Sequence, residues 1–313
     1  GCSAPTAPAM SMSRMAGRGP HPGGASNRSA SAPLGSLRCR CRIGLGMPTV
    51  RVGEIELDYE RSGTGPPLLA IMGMSGTALH WVEPFLRPLR QDFEVIVYDH
   101  RGVGASSPLQ GPTSIVELAQ DAARLLDALA IDSAHVLGIS MGGMIAQELA
   151  LAHPERVRTL TLGCTYCGGE GSSLTSPQVL QRLTEAMMSG DQMRALRAAF
   201  EANISPAAAA EGQLYREFLA IAAQRTVAVP VIMAQMQACV VHDTSARLSQ
   251  LAMPTLVIHG TADEMLPVEN GRVVASRIPG SQLEILDGIG HLFFWEQPER
   301  SAELIRAHAA VHA

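Results

Sequence analysis

Residues 135–143 read His135-Val136-Leu137-Gly138-Ile139-Ser140-Met141-Gly142-Gly143, and this stretch decides the fold. His135–Ile139 has the composition of a buried strand. From Met141 to His153 the pattern becomes that of an amphipathic helix, stopped by Pro154. At the junction, Gly138-Ile139-Ser140-Met141-Gly142 matches G-x-S-x-G. A strand that turns this sharply into a helix holds its central residue at strained backbone angles, so only small neighbours fit around it. The same turn sets the Ser140 hydroxyl at a helix N-terminus, where the Met141 N–H can face developing negative charge. The plain alternative is a glycine-rich turn with an incidental serine; the flanking strand and helix favour a nucleophile.

On both sides of this turn, strands alternate with helices, as a mostly parallel sheet requires. Ile55, Leu57 and Tyr59 alternate with polar residues and mark an early hairpin strand. Leu68–Met72 is a buried strand running into Gly73-Met74-Ser75-Gly76, and Val95–Tyr98 runs into Asp99-His100-Arg101-Gly102-Val103-Gly104. Ser114 and Glu117 form a capping box for a helix with Leu118, Leu125, Leu126 and Leu129 on its core side. Strands at 157–162, 255–259 and 283–286 follow, and a last helix begins after Pro298. Residues 170–247 interrupt the alternation: they are rich in Ala and Met, helical in character, and contain no credible strand. The expected organisation is a core formed by residues 47–169 and 248–313, with residues 170–247 as a helical lid over the C-terminal ends of the strands. Open α/β sheets bind ligands at that edge.

A serine hydroxyl needs a base, and the base needs an acid to hold its tautomer. Of ten histidines, His291 in Gly290-His291-Leu292 follows the last strand and so reaches the edge that carries Ser140. His100 is expected to brace backbone beside Arg101; His259, ending a strand, and His242, in the lid, are weaker rivals. Asp263 follows the strand 255–259 and completes the chain order Ser, Asp, His. Asp287 lies only four residues before His291, and Glu264 reads as a surface acid. The second oxyanion donor is expected from the loop after Leu68–Met72, at the Met74 N–H, with Gly73 allowing close approach to substrate. Gly73, Met144 and Met233 are the expected substrate contacts.

The bulk numbers exclude more than they assign. At 313 residues the chain can bury a full core. Hydrophobic residues make up 46% and charged residues 17%, and the net charge is -5. All 24 basic residues are arginine, without a basic face for nucleic acid. Between residues 171 and 247 the lid carries Arg182, Arg194, Arg197, Arg216, Arg225 and Arg247 against Glu185, Asp191, Glu201, Glu211, Glu217 and Asp243, so its signs balance. Met187, Met188, Met193, Met233 and Met236 add flexible apolar side chains. Apolar runs are too short or interrupted for a membrane helix. Cys164 and Cys167 form a lone C-x-x-C with no second pair to complete a zinc site, so no metal and no cofactor is expected. With no disulfide framework, a reducing, cytoplasmic setting is the expectation.

Residues 1–46 are rich in Ser, Pro, Gly and Ala, carry six arginines and contain no Asp or Glu. Such a stretch does not bury enough apolar surface to fold alone. It reads as an upstream or non-native start before Met47, with an organelle transit peptide as the alternative.

These pieces resemble the α/β-hydrolase fold family over residues 48–312, and its small carboxylesterase and lactonase branch, which includes 3-oxoadipate enol-lactonases, in particular. The resemblance rests on Tyr98-Asp99-His100-Arg101-Gly102-Val103-Gly104-Ala105-Ser106-Ser107, on Gly138-Ile139-Ser140-Met141-Gly142-Gly143-Met144-Ile145-Ala146-Gln147, and on Gly290-His291 followed by Glu296-Gln297-Pro298-Glu299. It implies an eight-stranded, mostly parallel sheet and a serine hydrolase acting on a small, neutral, apolar ester or lactone. Two other uses of the same residues stay open: cleavage of carbon–carbon bonds or perhydrolysis, and a small-ligand receptor with little turnover. The chain departs from many relatives in having Met72-Gly73 where they have His-Gly, which makes the pocket floor more apolar.

Overall fold

The computed structural model describes residues 47–312. Residues 1–46, with Cys2, Cys39 and Cys41, lie outside the described residues. Eight strands form one sheet: β1 Thr49–Val52, β2 Ile55–Gly63, β3 Pro67–Ile71, β4 Glu94–Tyr98, β5 Ala134–Ile139, β6 Val157–Gly163, β7 Thr255–Gly260 and β8 Gln282–Leu286. Their order across the sheet is β1-β2-β4-β3-β5-β6-β7-β8. The hairpin β1–β2 is antiparallel, and β2 runs antiparallel to β4; every other pairing is parallel.

The strand sequences explain this division. β2 is buried only at Leu57 and Asp58 and is partly or fully exposed elsewhere, as suits a strand of the antiparallel hairpin near the sheet edge. β5 and β7 are buried at every position, because helices cover both sheet faces. On one face lie α2 (Ile115–Ala128) and α3 (Met141–Ala152), packing Leu118, Leu125, Leu126, Met144 and Leu149 onto Ile71, Ile96 and Val136. On the other lie α1 (Glu83–Leu89) and α11 (Pro298–Val311), where Phe85, Leu89, Phe294 and Ile305 pack on Leu68, Val95 and Leu137. A fully buried leucine such as Leu125 contributes about 2 kcal/mol, and truncating it to alanine costs about 3.

The cap of α2 is half of the expected box. The Ser114 hydroxyl accepts from Glu117 N–H at 3.1 Å, but the Glu117 carboxylate turns to Arg101 and to the Thr113 hydroxyl rather than back to the cap. Arg101 is a stronger partner than one peptide N–H.

Between β6 and β7 come five helices: α4 Pro177–Met188, α5 Gln192–Asn203, α6 Pro206–Ala210, α7 Gln213–Gln224 and α8 Val229–Val240. After β7 and β8 come α9 (Glu269–Arg277) and the single turn α10 (Phe293–Glu296). No single helix among the described residues is long and apolar enough to cross a membrane.

The strand order positions the site. From β3 the chain crosses to β4 on one side and then returns to β5 on the other. Loops leaving the C-terminal ends of β3 and β5 therefore diverge around a crevice, the place where open α/β sheets bind ligands. Gly73 and Ser140 lie just beyond those two strand ends.

Candidate active site

Ser140 sits between β5 and α3 with φ +58° and ψ -122°, a backbone conformation that costs a side-chain-bearing residue about 1–3 kcal/mol. The surroundings enforce it. Ser140 N–H donates to Gly163 O at 2.9 Å, and its carbonyl accepts from Gly143 N–H at 2.9 Å and from the Thr165 hydroxyl at 2.7 Å. A Cβ on Gly138 would lie 2.2 Å from Gly142 O, and one on Gly142 would lie 2.0 Å from Ile71 O. Both glycines are thus required by close packing of backbone on backbone. As the first residue of α3, Met141 has an N–H without an intrahelical acceptor, next to the Ser140 hydroxyl.

The loop after β3 comes against the serine directly. A Cβ on Gly73 would be 3.0 Å from Ser140 Cβ and 3.6 Å from its Oγ. Gly73 is where it was expected, and the half-buried Met74 follows it. The Met72 carbonyl is held by His100 Nε2 at 2.9 Å, so His100 braces backbone as the sequence suggested. The Met72 side chain fills the space beside Gly76.

Beyond β7 and β8 the structure brings Asp263 and His291 together: Nδ1 of His291 donates to Oδ2 of Asp263 at 2.7 Å, and both are buried. With Nδ1 engaged, Nε2 is the nitrogen left for proton transfer. The other oxygen of Asp263 accepts from Met265 N–H and Leu266 N–H, each at 2.8 Å. Burial would push the Asp263 carboxyl up, but the neighbouring His291 and His259 together outweigh it and hold the group below the usual carboxylate range. Asp287 is exposed and accepts from the Thr261 hydroxyl, remote from His291 in its bonding. Glu264 pairs with Arg182 at the surface.

The loop carrying His291 is fixed by a residue the chemical reading passed over. Glu296 accepts from Gly290 N–H at 2.9 Å and from Ser205 N–H at 2.8 Å, tying the histidine loop to the helical insertion. Its only sequence signal was its place in the stretch after Gly290-His291.

The sulfur of Cys164, the first residue of the lone C-x-x-C, belongs to the same cluster. Ligating atoms of Cys164, Asp263 and His291 lie within 4.8 Å of one another. It is the one such group of three among the described residues. Two of its members are already bonded to each other, and burial pushes the Cys164 thiol well up, with the Asp263 charge adding to that. A protonated thiol is a poor metal ligand.

Two expected substrate contacts stand differently. Met144 is 2% exposed and packs in the core under α3, because its face of the helix points at the sheet. Met233 is 49% exposed on α8; the side chain of α8 that reaches the Gly73 loop is Gln235, whose Oε1 accepts from Ser75 N–H at 2.9 Å.

A strained serine at a strand–helix turn, beside a backbone loop and on the sheet edge that carries an Asp–His pair, defines the class. Residues 66–223 match the alpha/beta hydrolase fold family, and the chain belongs to it. It is similar to RutD of Azorhizobium caulinodans, named as a carbamate hydrolase, at 31% identity over 83% of this chain and 97% of that one. It is also similar to the poly(3-hydroxyalkanoate) depolymerase of Ectopseudomonas oleovorans, at 34% identity over 76% of this chain and 82% of that one. Among solved structures, the enol-lactonase of Burkholderia xenovorans LB400 superposes with a TM-score of 0.72 at 25% identity, covering 84% of this chain and 100% of that one. Hydrolysis is the activity common to these relatives.

Proposed function

We propose that the protein is a serine hydrolase that cleaves a carboxylic ester or lactone through an acyl-enzyme intermediate. The observation that carries this reading is the Ser140 turn, clamped at φ +58° on the sheet edge where His291 and Asp263 are bonded at 2.7 Å. Ser140 Oγ attacks the carbonyl carbon as its proton passes to His291 Nε2, while Asp263 keeps the imidazole oriented and stabilises its charge. Met74 and Met141 N–H groups face the tetrahedral oxyanion, which collapses to the acyl-serine as the leaving oxygen takes the proton from His291. Water, deprotonated by His291, then attacks the acyl carbon, and release of the acid returns the proton to Ser140.

The substrate we infer is small, neutral and apolar. Residues 170–247, with helices α4–α8, act as the lid, and four of its six arginines are paired: Arg182 with Glu264, Arg197 with Glu201, Arg225 with Asp58 and Asp99, Arg247 with Glu148. The lid also exposes Leu180, Met188, Met193, Val229 and Met233. An enol-lactonase and a polyester depolymerase among the relatives fit this class.

The test is covalent. A fluorophosphonate should label the wild-type protein at Ser140 and block turnover of a short p-nitrophenyl ester, and Ser140→Ala should lose both label and turnover. Ester turnover that survives in Ser140→Ala would overturn the reading.

A further inference from the structure

The turn that faces Ser140 does not hold itself. Gly76 N–H donates to Gly73 O at 3.2 Å, which leaves Met74 and Ser75 at its tip. Ser75 is left-handed there, with φ +58°, a conformation that disfavours residues bearing a Cβ. What secures it comes from 160 residues away: Ser75 N–H donates to Oε1 of Gln235 at 2.9 Å, and Gln235 is buried on the lid helix α8. Two residues beyond the turn, Ala78 N–H donates to Oδ1 of Asp99 at 2.6 Å, and Oδ2 of Asp99 is paired with Arg225 at the end of α7. This second anchor is also tightly built, since a Cβ on Gly104 would lie 1.9 Å from Asp99 Oδ2 and 2.6 Å from Arg225. Both outside anchors of the segment 73–78 therefore depend on lid residues.

We propose that Gln235 is a positioning residue for the oxyanion: its carbonyl holds Ser75 in the left-handed turn and so aims the Met74 N–H at the carbonyl oxygen above Ser140, with Arg225 and Asp99 fixing the far end. The proposal rests on the Ser140 reading given above. Gln235 touches the backbone of Ser75, not the ester, so its contribution appears in the transition state, where charge develops on the oxygen, rather than in substrate binding. The lid is then part of the acyl-transfer apparatus, and seating α8 is what completes the oxyanion site.

The experiment compares wild type with Gln235→Leu, similar in shape but lacking the acceptor, and with Val240→Ala on the exposed side of the same helix. Gln235→Met serves as a second acceptor-free variant if the leucine variant folds poorly. Each protein is assayed for kcat and KM on a p-nitrophenyl ester. Each is also assayed for affinity toward a trifluoromethyl ketone, which adds the serine hydroxyl to give a hemiketal oxyanion, and toward the matching methyl ketone. The expected result is a kcat lower by about 10- to 100-fold with KM within about twofold. Trifluoromethyl ketone affinity should fall by the same factor, methyl ketone affinity should hold, and Val240→Ala should behave as wild type. A wild-type preference for the trifluoromethyl ketone that Gln235→Leu retains would overturn this proposal alone. Equal losses for both ketones would reduce Gln235 to a structural residue and overturn it too. A wild-type protein with no such preference would remove the Ser140 reading and this one with it.

Discussion

His259 Nε2 and Asp263 Oδ2 lie 3.2 Å apart, so the carboxylate that engages His291 is shared between two imidazoles. The same nitrogen of His259 is 2.8 Å from the Leu266 carbonyl, which only accepts, so Nε2 carries the proton and donates to both oxygens. With Met265 N–H, Leu266 N–H and His291, Asp263 accepts from four donors, about the full capacity of a carboxylate. Such a group has no freedom to rotate, and neither does the imidazole it holds.

Asp263→Asn should therefore lower kcat by about a thousand- to ten-thousandfold on a p-nitrophenyl ester, because the amide presents hydrogens to at least one donor and misaligns His291. Asp287→Asn, at an exposed residue bonded to Thr261, should stay within about twofold of wild type. Steady-state kinetics on the two variants decides the acid, and a reversed ranking would reassign it.

The second imidazole has a separate signature. His259→Leu removes one of the four donors to Asp263 and leaves Oδ2 held by His291 alone. The expected outcome is a kcat lower by about tenfold, with Gln in place of His259 restoring most of it through its side-chain N–H. A leucine variant with the kcat of wild type would make His259 a packing residue.

Strain at Ser140 predicts a trade between stability and activity. Both Ser140→Ala and Ser140→Gly should be inactive, but alanine keeps the Cβ that disfavours φ +58° and glycine does not. Glycine should therefore be the more stable of the two by about 1 kcal/mol, net of its greater unfolded-state entropy. Urea unfolding of the pair measures this. An alanine variant as stable as the glycine one would mean that the turn is unstrained.

Much of this was legible before any coordinates. Seven of the eight strands and the turn at Ser140 were readable because each is encoded within a few residues of chain, as apolar runs that end in glycine turns, while the short edge strand β1 was not read. The pairings that lock the site were not. Gln235 and Ser75, Arg225 and Asp99, and Glu296 and Ser205 join segments far apart in sequence, and the lid helices carry no local signal for what they meet. Met144 and Met233 show the same limit: composition marked both as pocket material, while helix rotation buries one in the core and leaves the other half exposed.

Buried histidines set the response to acid. Burial pushes His80, His135 and His242 down to about 4. Unfolded imidazole titrates near 6.5. A folded pKa below the unfolded one gives stability that is complete above about pH 6.5 and lost as pH falls towards 4. The urea midpoint should decline steadily from pH 7 to 4.5. His135→Asn, which can keep the bond to Thr159, should flatten that slope. A midpoint that stays constant over this range would contradict the neutral burial of these rings.

The last prediction concerns the substrate: a neutral ester or lactone should be turned over at least about tenfold better, in kcat/KM, than a coenzyme A thioester carrying the same acyl group. A polyphosphate-bearing substrate needs a positive funnel, and four of the lid's six arginines are engaged in ion pairs. Arg225 is committed to Asp58 at 2.8 Å and to Asp99, Arg247 to Glu148 at 2.6 Å, Arg197 to Glu201 at 2.5 Å, and Arg182 to Glu264. Arg225 is the costliest to divert, since releasing it would strand two buried carboxylates and loosen the segment 73–78 beside Ser140. The apolar residues that the lid exposes offer contact to a neutral acyl or alkoxy group instead. The measurement is kcat/KM for matched ester, lactone and thioester at low and high salt. Rates for the neutral substrates should be insensitive to salt, because no charge steers their approach. A strong preference for the coenzyme A substrate that collapses on adding salt would mean that folding leaves an arginine cluster free to bind phosphate, and would overturn the neutral-substrate assignment.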